Sequence, residues 1–349
     1  MSKFDYTEDS VERFKLVIEQ LEVCADLIKS DSPAKSRMAI ILLDNLIDIL
    51  MYRYCLYEFS RDYFVRSFHP PKFTEEEEAD AKNNIEGKIK IVRRYIKKLT
   101  KTEETIIRLC HSYRNDAQHN DAHNPATSVL FAKILFKITS TFFIRLESKV
   151  PVSIGYGVVP DWFKKYTDKS HIKLLDLAKN VVGNLSRGMG FSLETIRKSL
   201  SEDLSRRLEK ISEIIGELPA SAKLDEIFRY YGFEETLEFK NISKPFYQMR
   251  YRIVAGEPVA PEEYWDEEIN TTRALDEALI KFSPSVNTQT ISKIKRGVRI
   301  LREGPSTDFV LKTYERFNRP MELIEHYLNR AAEDWDKMVQ LQIDIARGK

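Results

Sequence analysis

The feature that most constrains this chain is how rarely its apolar rhythm is interrupted. Only 12 glycines and 13 prolines punctuate 349 residues. Near the N-terminus, Val11, Phe14, Ile18, Leu21, Ala25 and Ile28 recur at steps of three and four. That spacing places them on one stripe of a helix. Long runs without breakers leave little room for the frequent turns of a strand sandwich. An all-α fold is therefore expected. Hydrophobic residues at 42% and charged residues at 31% suit a globular chain rather than a disordered one. The length suffices for about two domains.

The spacing predicts a first helix over 7–29. The break DSP follows, with Asp31 or Ser32 as N-cap and Pro33 in the next first turn. The second helix should run from Pro33 beyond Tyr57. It is apolar on nearly all sides (Met38, Ile40, Leu43, Ile47, Ile49), so it reads as the buried helix of a bundle. Its polar exceptions Arg37, Asp44, Asp48 and Cys55 are spaced by seven, four and seven and form one narrow stripe. Such a stripe is either an internal network, with Arg37 bridging the two acids, or the wall of a site.

After FHPPKF a third helix is expected from Thr74, with Glu77 completing a capping box and basic last turns up to Lys98. Lys90, Arg94, Lys97 and Lys101 would share a face suited to an RNA backbone. A fourth helix starts near Thr100 with Glu103 as capping partner, and Pro125 opens a fifth through about 147. The segment 151–162, rich in Pro, Gly and β-branched residues, reads as a linker. It would separate a helical bundle at 1–150 from a helical C-terminal domain at 163–349. In the latter, a seam from Leu193 to Ile215 and stretches near 221–231, 271–282, 287–303 and 320–347 look helical.

A net charge of +1 rules out binding nucleic acid by bulk positive charge, so any contact must be a local patch. Cys24, Cys55 and Cys110 stand apart in apolar stretches and read as buried free thiols. No apolar run approaches the ~20 residues that cross a bilayer. No membrane association and a cytoplasmic location are expected. The glycines of GNLSRGMG match no phosphate loop. His119 and His123 stand four apart, but HNDAH lacks the glutamate of HExxH and Pro125 is close. No metal and no cofactor are expected.

The chemistry gathers in Tyr113-Arg114-Asn115-Asp116-Ala117-Gln118-His119. Cutting an RNA phosphodiester needs a proton taken from the 2′-hydroxyl, a proton given to the leaving 5′-oxygen, and charge compensation at phosphorus. A histidine titrates near ~6.5 and suits either transfer. Arginine offers a permanent planar fork of donors for phosphate oxygens. The RNA supplies its own nucleophile.

This segment resembles the Arg-x(4–6)-His motif of HEPN domains in its frequent form beginning Arg-Asn. SRMAIILLDNLIDILMYR resembles the buried helix with which that family presents an acidic residue to the motif. The resemblance covers residues 1 to about 150. It implies Arg114 and His119 as the catalytic pair, Asn115 as a supporting polar group and Asp44 as the acidic partner. It also implies a metal-independent endoribonuclease leaving 2′,3′-cyclic phosphate and 5′-hydroxyl ends. A homodimer joined through this domain, a role as toxin or antiviral defence effector, and a protein inhibitor or trigger are further implications. The alternative is a HEPN-like module that binds RNA or protein, or dimerises, without cutting.

Overall fold

The computed structural model describes residues 8–66, 69–96, 99–119, 125–147, 161–169, 173–254 and 261–347. Among them are thirteen α-helices and no strand, so the fold is all-α. No helix among the described residues is long and apolar enough to cross a membrane. Two compact units are formed, residues 1–199 with 305–312 and residues 200–304 with 313–349. The segment 151–162 falls within the first unit, and residues 151–160 of it lie outside the described residues.

The first unit is assembled around α2 (Pro33–Val65). Helices α1 (Glu8–Lys29), α4 (Ile85–Ile96), α5 (Lys101–His119) and α6 (Pro125–Glu147) all pack on it. Ile40, Leu43, Leu46, Ile47 and Leu50 of α2 meet a core that includes Ile18, Leu21, Ile28, Phe131, Phe136 and Phe143. Pro33 sits in the first turn of α2 after Ser32, whose side chain makes no capping bond; Asp31 takes a left-handed φ of 49° in the tight connection from α1.

The all-round burial expected of α2 is corrected by the structure. Met38, Ile49, Leu56 and Tyr63 are exposed, and their spacing of eleven, seven and seven puts them on one outward stripe. Apolar composition alone does not reveal that the neighbouring helices cover only part of the circumference.

The expected third helix is two helices, α3 (Glu75–Asn83) and α4. Thr74 and Glu77 do form the capping box that starts α3. The break is at Asn84, which is extended at φ −141°, ψ 157°. Its N–H closes α3 on Asp80 O at 3.0 Å, and its side-chain oxygen accepts from Gly87 N–H at 2.7 Å to open α4. One asparagine thus caps both helices. The two helices cross so closely that a Cβ on Gly87 would lie 2.5–2.6 Å from backbone atoms of Asp80 and Ala81. In consequence Lys88 is not part of a basic last turn. It lies near the start of α4 and is buried.

Helix α5 begins with the expected box: Thr100 N–H donates to Glu103 at 2.8 Å, and Glu103 N–H returns to Thr100 at 3.2 Å. A 3-10 turn at Asp161–Phe163 and α7 (Leu174–Leu185) follow α6. Leu174, Leu177, Ala178 and Val181 bury the α7 stripe against α1 and α6. Helix α8 (Leu193–Glu217) leads into the second unit.

The second unit contains α9 (Leu224–Glu234), α10 (Leu237–Val254), α11 (Pro261–Lys281), α12 (Thr288–Glu303) and most of α13 (Thr307–Ala346). Helix α13 starts thirteen residues before the expected 320 and continues through Pro320. Proline removes one backbone bond there, yet Tyr314, Met321, Ile324 and Leu328 are buried on both sides of it and hold the helix in place. Arg207, with 14% of its side-chain surface exposed, is satisfied by a bidentate pair with Glu325 (2.9 and 2.6 Å) and by Asn318 (2.6 Å). Tyr314 donates to Asp203 at 2.6 Å beside it.

Candidate functional site

Asp44 lies about three turns into α2 with none of its surface exposed. A carboxylate there is tolerable only with partners. Two come from one face of α5. Arg114 Nη1 donates to Asp44 Oδ2 at 2.9 Å. His111, three residues earlier and so on the same face, places Nδ1 3.0 Å from Oδ2 and 3.3 Å from Oδ1. Arg114 keeps 26% and His111 32% of their side-chain surface. The cluster is therefore floored by a buried acid and open on the side of its two bases. Arg114 Nε is buried with no hydrogen-bond partner among the described residues.

The hydrogen bond that His111 donates to Asp44 raises the His111 pKa above its ordinary value; partial burial and the Arg114 charge oppose it more weakly. Asp48, one turn along α2, is bound by Lys88 Nζ at 2.8 Å to both carboxylate oxygens. The two acids of the α2 stripe thus take separate basic partners, from α5 and α4. Cys55, lower on the stripe, is buried and its thiol is pushed up to about 12, chiefly by burial. Burial likewise pushes Cys24 to about 12 and raises Cys110, so all three thiols are held protonated.

Of the residues expected at the catalytic site, Asp44 and Arg114 are brought together. Asn115 and His119 belong to α5 by their backbone, and His119 is its last residue. Their side chains lie outside the described residues, as does His123. His111 is not singled out by any motif in the sequence. The signal that could have found its place is its spacing of three from Arg114, which puts both on the helix face turned to α2.

The expected basic face is divided. Lys90 and Arg94 belong to α4 and Lys101 opens α5, while Lys97 lies outside the described residues. Arg94 is tied to Glu77 at 2.7 Å, and Lys90 stands 3.9 Å from the same carboxylate. Lys90 and Arg94 line a cleft of about 530 Å³ with Arg93, Arg108, Glu86 and Glu104 among its other walls. Acids and bases nearly balance in it. Arg108 is held by Glu86 (2.7 and 2.8 Å) and Glu104 (2.6 Å). His111 follows Arg108 by one helical turn, but neither it nor Asp44 or Arg114 lines the cleft. Its walls are too evenly charged to attract a polyanion by field alone.

No family model matches the chain, and no curated protein or solved structure matches it.

Proposed function

We propose that the chain is a metal-independent endoribonuclease of HEPN type. In this reading the 2′-hydroxyl attacks its own phosphodiester, His119 takes the proton, and Arg114 stabilises the phosphorane. The products are a 2′,3′-cyclic phosphate and a 5′-hydroxyl. The observation that carries it is the pairing of Arg114 with fully buried Asp44 at 2.9 Å, with the guanidinium still partly exposed. An arginine anchored on one side and open on the other is preorganised for an anion. The reading includes pairing of two chains through the first unit, action in the cytoplasm, use as a toxin or defence effector, and restraint by a protein partner.

A second reading is supported by the neutralised basic face, where Glu77 holds Arg94. In it the first unit binds RNA or a protein, or dimerises, and does not cut.

One assay separates them: mixed cellular RNA in excess EDTA with wild type, His119→Ala and Arg114→Ala. Metal-independent cutting that disappears in both variants is the expected result. Equal cutting by wild type and His119→Ala would refute the assignment. Absence of cutting with salt-dependent retention of RNA would establish the second reading in its place.

A further inference from the structure

The Asp44 cluster contains one group the ribonuclease reading leaves unused. Ionised Asp44 can only accept hydrogen bonds. The His111 nitrogen facing it must therefore carry the hydrogen, which fixes Nδ1–H and leaves Nε2 as the titrating nitrogen. Nε2 has no hydrogen-bond partner among the described residues, and about a third of the side chain is exposed. A buried carboxylate that orients an imidazole and stabilises its cation, with the far nitrogen free, is the arrangement of a proton-transfer dyad. A purely structural role accounts for it less well. Arg114 already supplies Asp44 with a cation. Because Arg114 and His111 share one carboxylate oxygen, a phosphate held by the guanidinium would also lie beside the ring.

We infer that His111 is a catalytic residue of the nuclease site, the general acid that protonates the leaving 5′-oxygen. The inference rests on the ribonuclease reading above. In the step, the O2′–P bond forms as the 2′-hydroxyl proton passes to His119. The P–O5′ bond breaks as the Nε2 proton of His111 passes to O5′. His111 is left neutral and His119 protonated, and exchange with water restores both. The groups around the ring favour the acid form. Asp44 touches the ring and outweighs Arg114 on α5, while Asp48 on α2 and Glu86 on α4 add negative charge that Lys88 and Arg108 largely offset. The raised pKa agrees with this balance.

The test compares two short RNAs, identical except that the scissile 5′-bridging oxygen is sulfur in one. A thiolate leaves without being protonated, so the second substrate needs no general acid. His111→Asn keeps an N–H donor toward Asp44 but has no titrating nitrogen. With the ordinary substrate in EDTA, His111→Asn should be slowed about 100-fold or more, the usual scale of acid catalysis. With the sulfur substrate it should cut within about threefold of wild type, since the acid term is absent. Equal loss on both substrates would reduce His111 to a positioning role and overturn the inference. Unchanged cutting of both would overturn it too, while loss in His119→Ala alone would leave the ribonuclease reading standing. No cutting by wild type would sink that reading and this one with it. Should His111→Asn not fold, the wild-type pH profile decides. An alkaline limb seen with oxygen and absent with sulfur supports the acid; the same limb with both refutes it.

Discussion

Replacing Asp44 by asparagine isolates what the buried carboxylate contributes. The shape is kept, but the charge goes and one oxygen becomes an NH2 that faces the donors of Arg114 and His111, now 2.9 and 3.0 Å away. Removing one member of a buried ion pair costs about 3–5 kcal/mol when the orphaned charge stays in the interior. Here the orphans retain 26% and 32% side-chain exposure, so water compensates part of the loss. The expected destabilisation is about 2–3 kcal/mol. For a unit of roughly 200 residues each kcal/mol lowers Tm by about 2–4 °C, giving a drop of about 4–12 °C. Thermal melts followed by circular dichroism read the first quantity. The second is the His111 titration by NMR, which should fall toward the ordinary 6.5 because the leading cause of its elevation has gone. A loss under about 0.5 kcal/mol together with an unmoved His111 titration would show that Asp44 does not hold the cluster.

The raised His111 pKa makes its stabilising contribution complete below the ordinary 6.5 and progressively lost as pH rises through the elevated folded value. The stability gap between wild type and His111→Asn, from urea melts across pH 5.5–9, should therefore narrow with rising pH; a constant gap contradicts the assigned pairing. Gly87→Ala places a Cβ 2.5–2.6 Å from backbone that cannot swing aside, and should cost about 2–3 kcal/mol in the same melts. A neutral outcome would mean that α3 and α4 do not cross this closely. Asp48→Ala should cost about 3–4 kcal/mol by stranding Lys88, 8% exposed at its side chain. Lys88→Met should be within about 1 kcal/mol of wild type because Asp48, at 35%, can be rehydrated. Equal losses in the two would refute the asymmetry.

The helices of the first unit were legible where termini carry explicit chemistry: Pro33 and Pro125 open α2 and α6, and Thr100 with Glu103 opens α5. The division at Asn84 was hidden because the run around it has no proline, and one asparagine is only mildly unfavourable inside a helix. Its double capping role depends on the crossing that Gly87 permits. Helix α7 is obscured in the sequence although Leu174, Leu177, Ala178 and Val181 have the right spacing, because Gly183, Gly188 and Gly190 crowd its end. Helix α10 carries Pro245 and exposes Leu237 and Tyr247, which blurs its stripe. Asp44 stood out as a polar residue on an apolar helix. Its link to His111 did not, since a contact across 67 residues is set by how α5 lies on α2.

The acids of α2 also fix an order of loop closure. Asp62 is met by the backbone N–H of Lys72, and Glu58 by the Lys72 ammonium, spans of ten and fourteen residues. Asp48 meets Lys88 across 40 residues, and Asp44 meets His111 and Arg114 across 67 and 70. Moving toward the start of α2, each successive pair encloses a longer stretch of chain. Closing a longer loop costs more entropy, and each inner closure shortens the effective loop left for the next. Folding of this unit should therefore zip from the C-terminal end of α2 backward, and pulse-labelled hydrogen exchange should protect α3 before α5. The Asp44 cluster would then be completed last, so a nascent or partly folded chain would lack the assembled site.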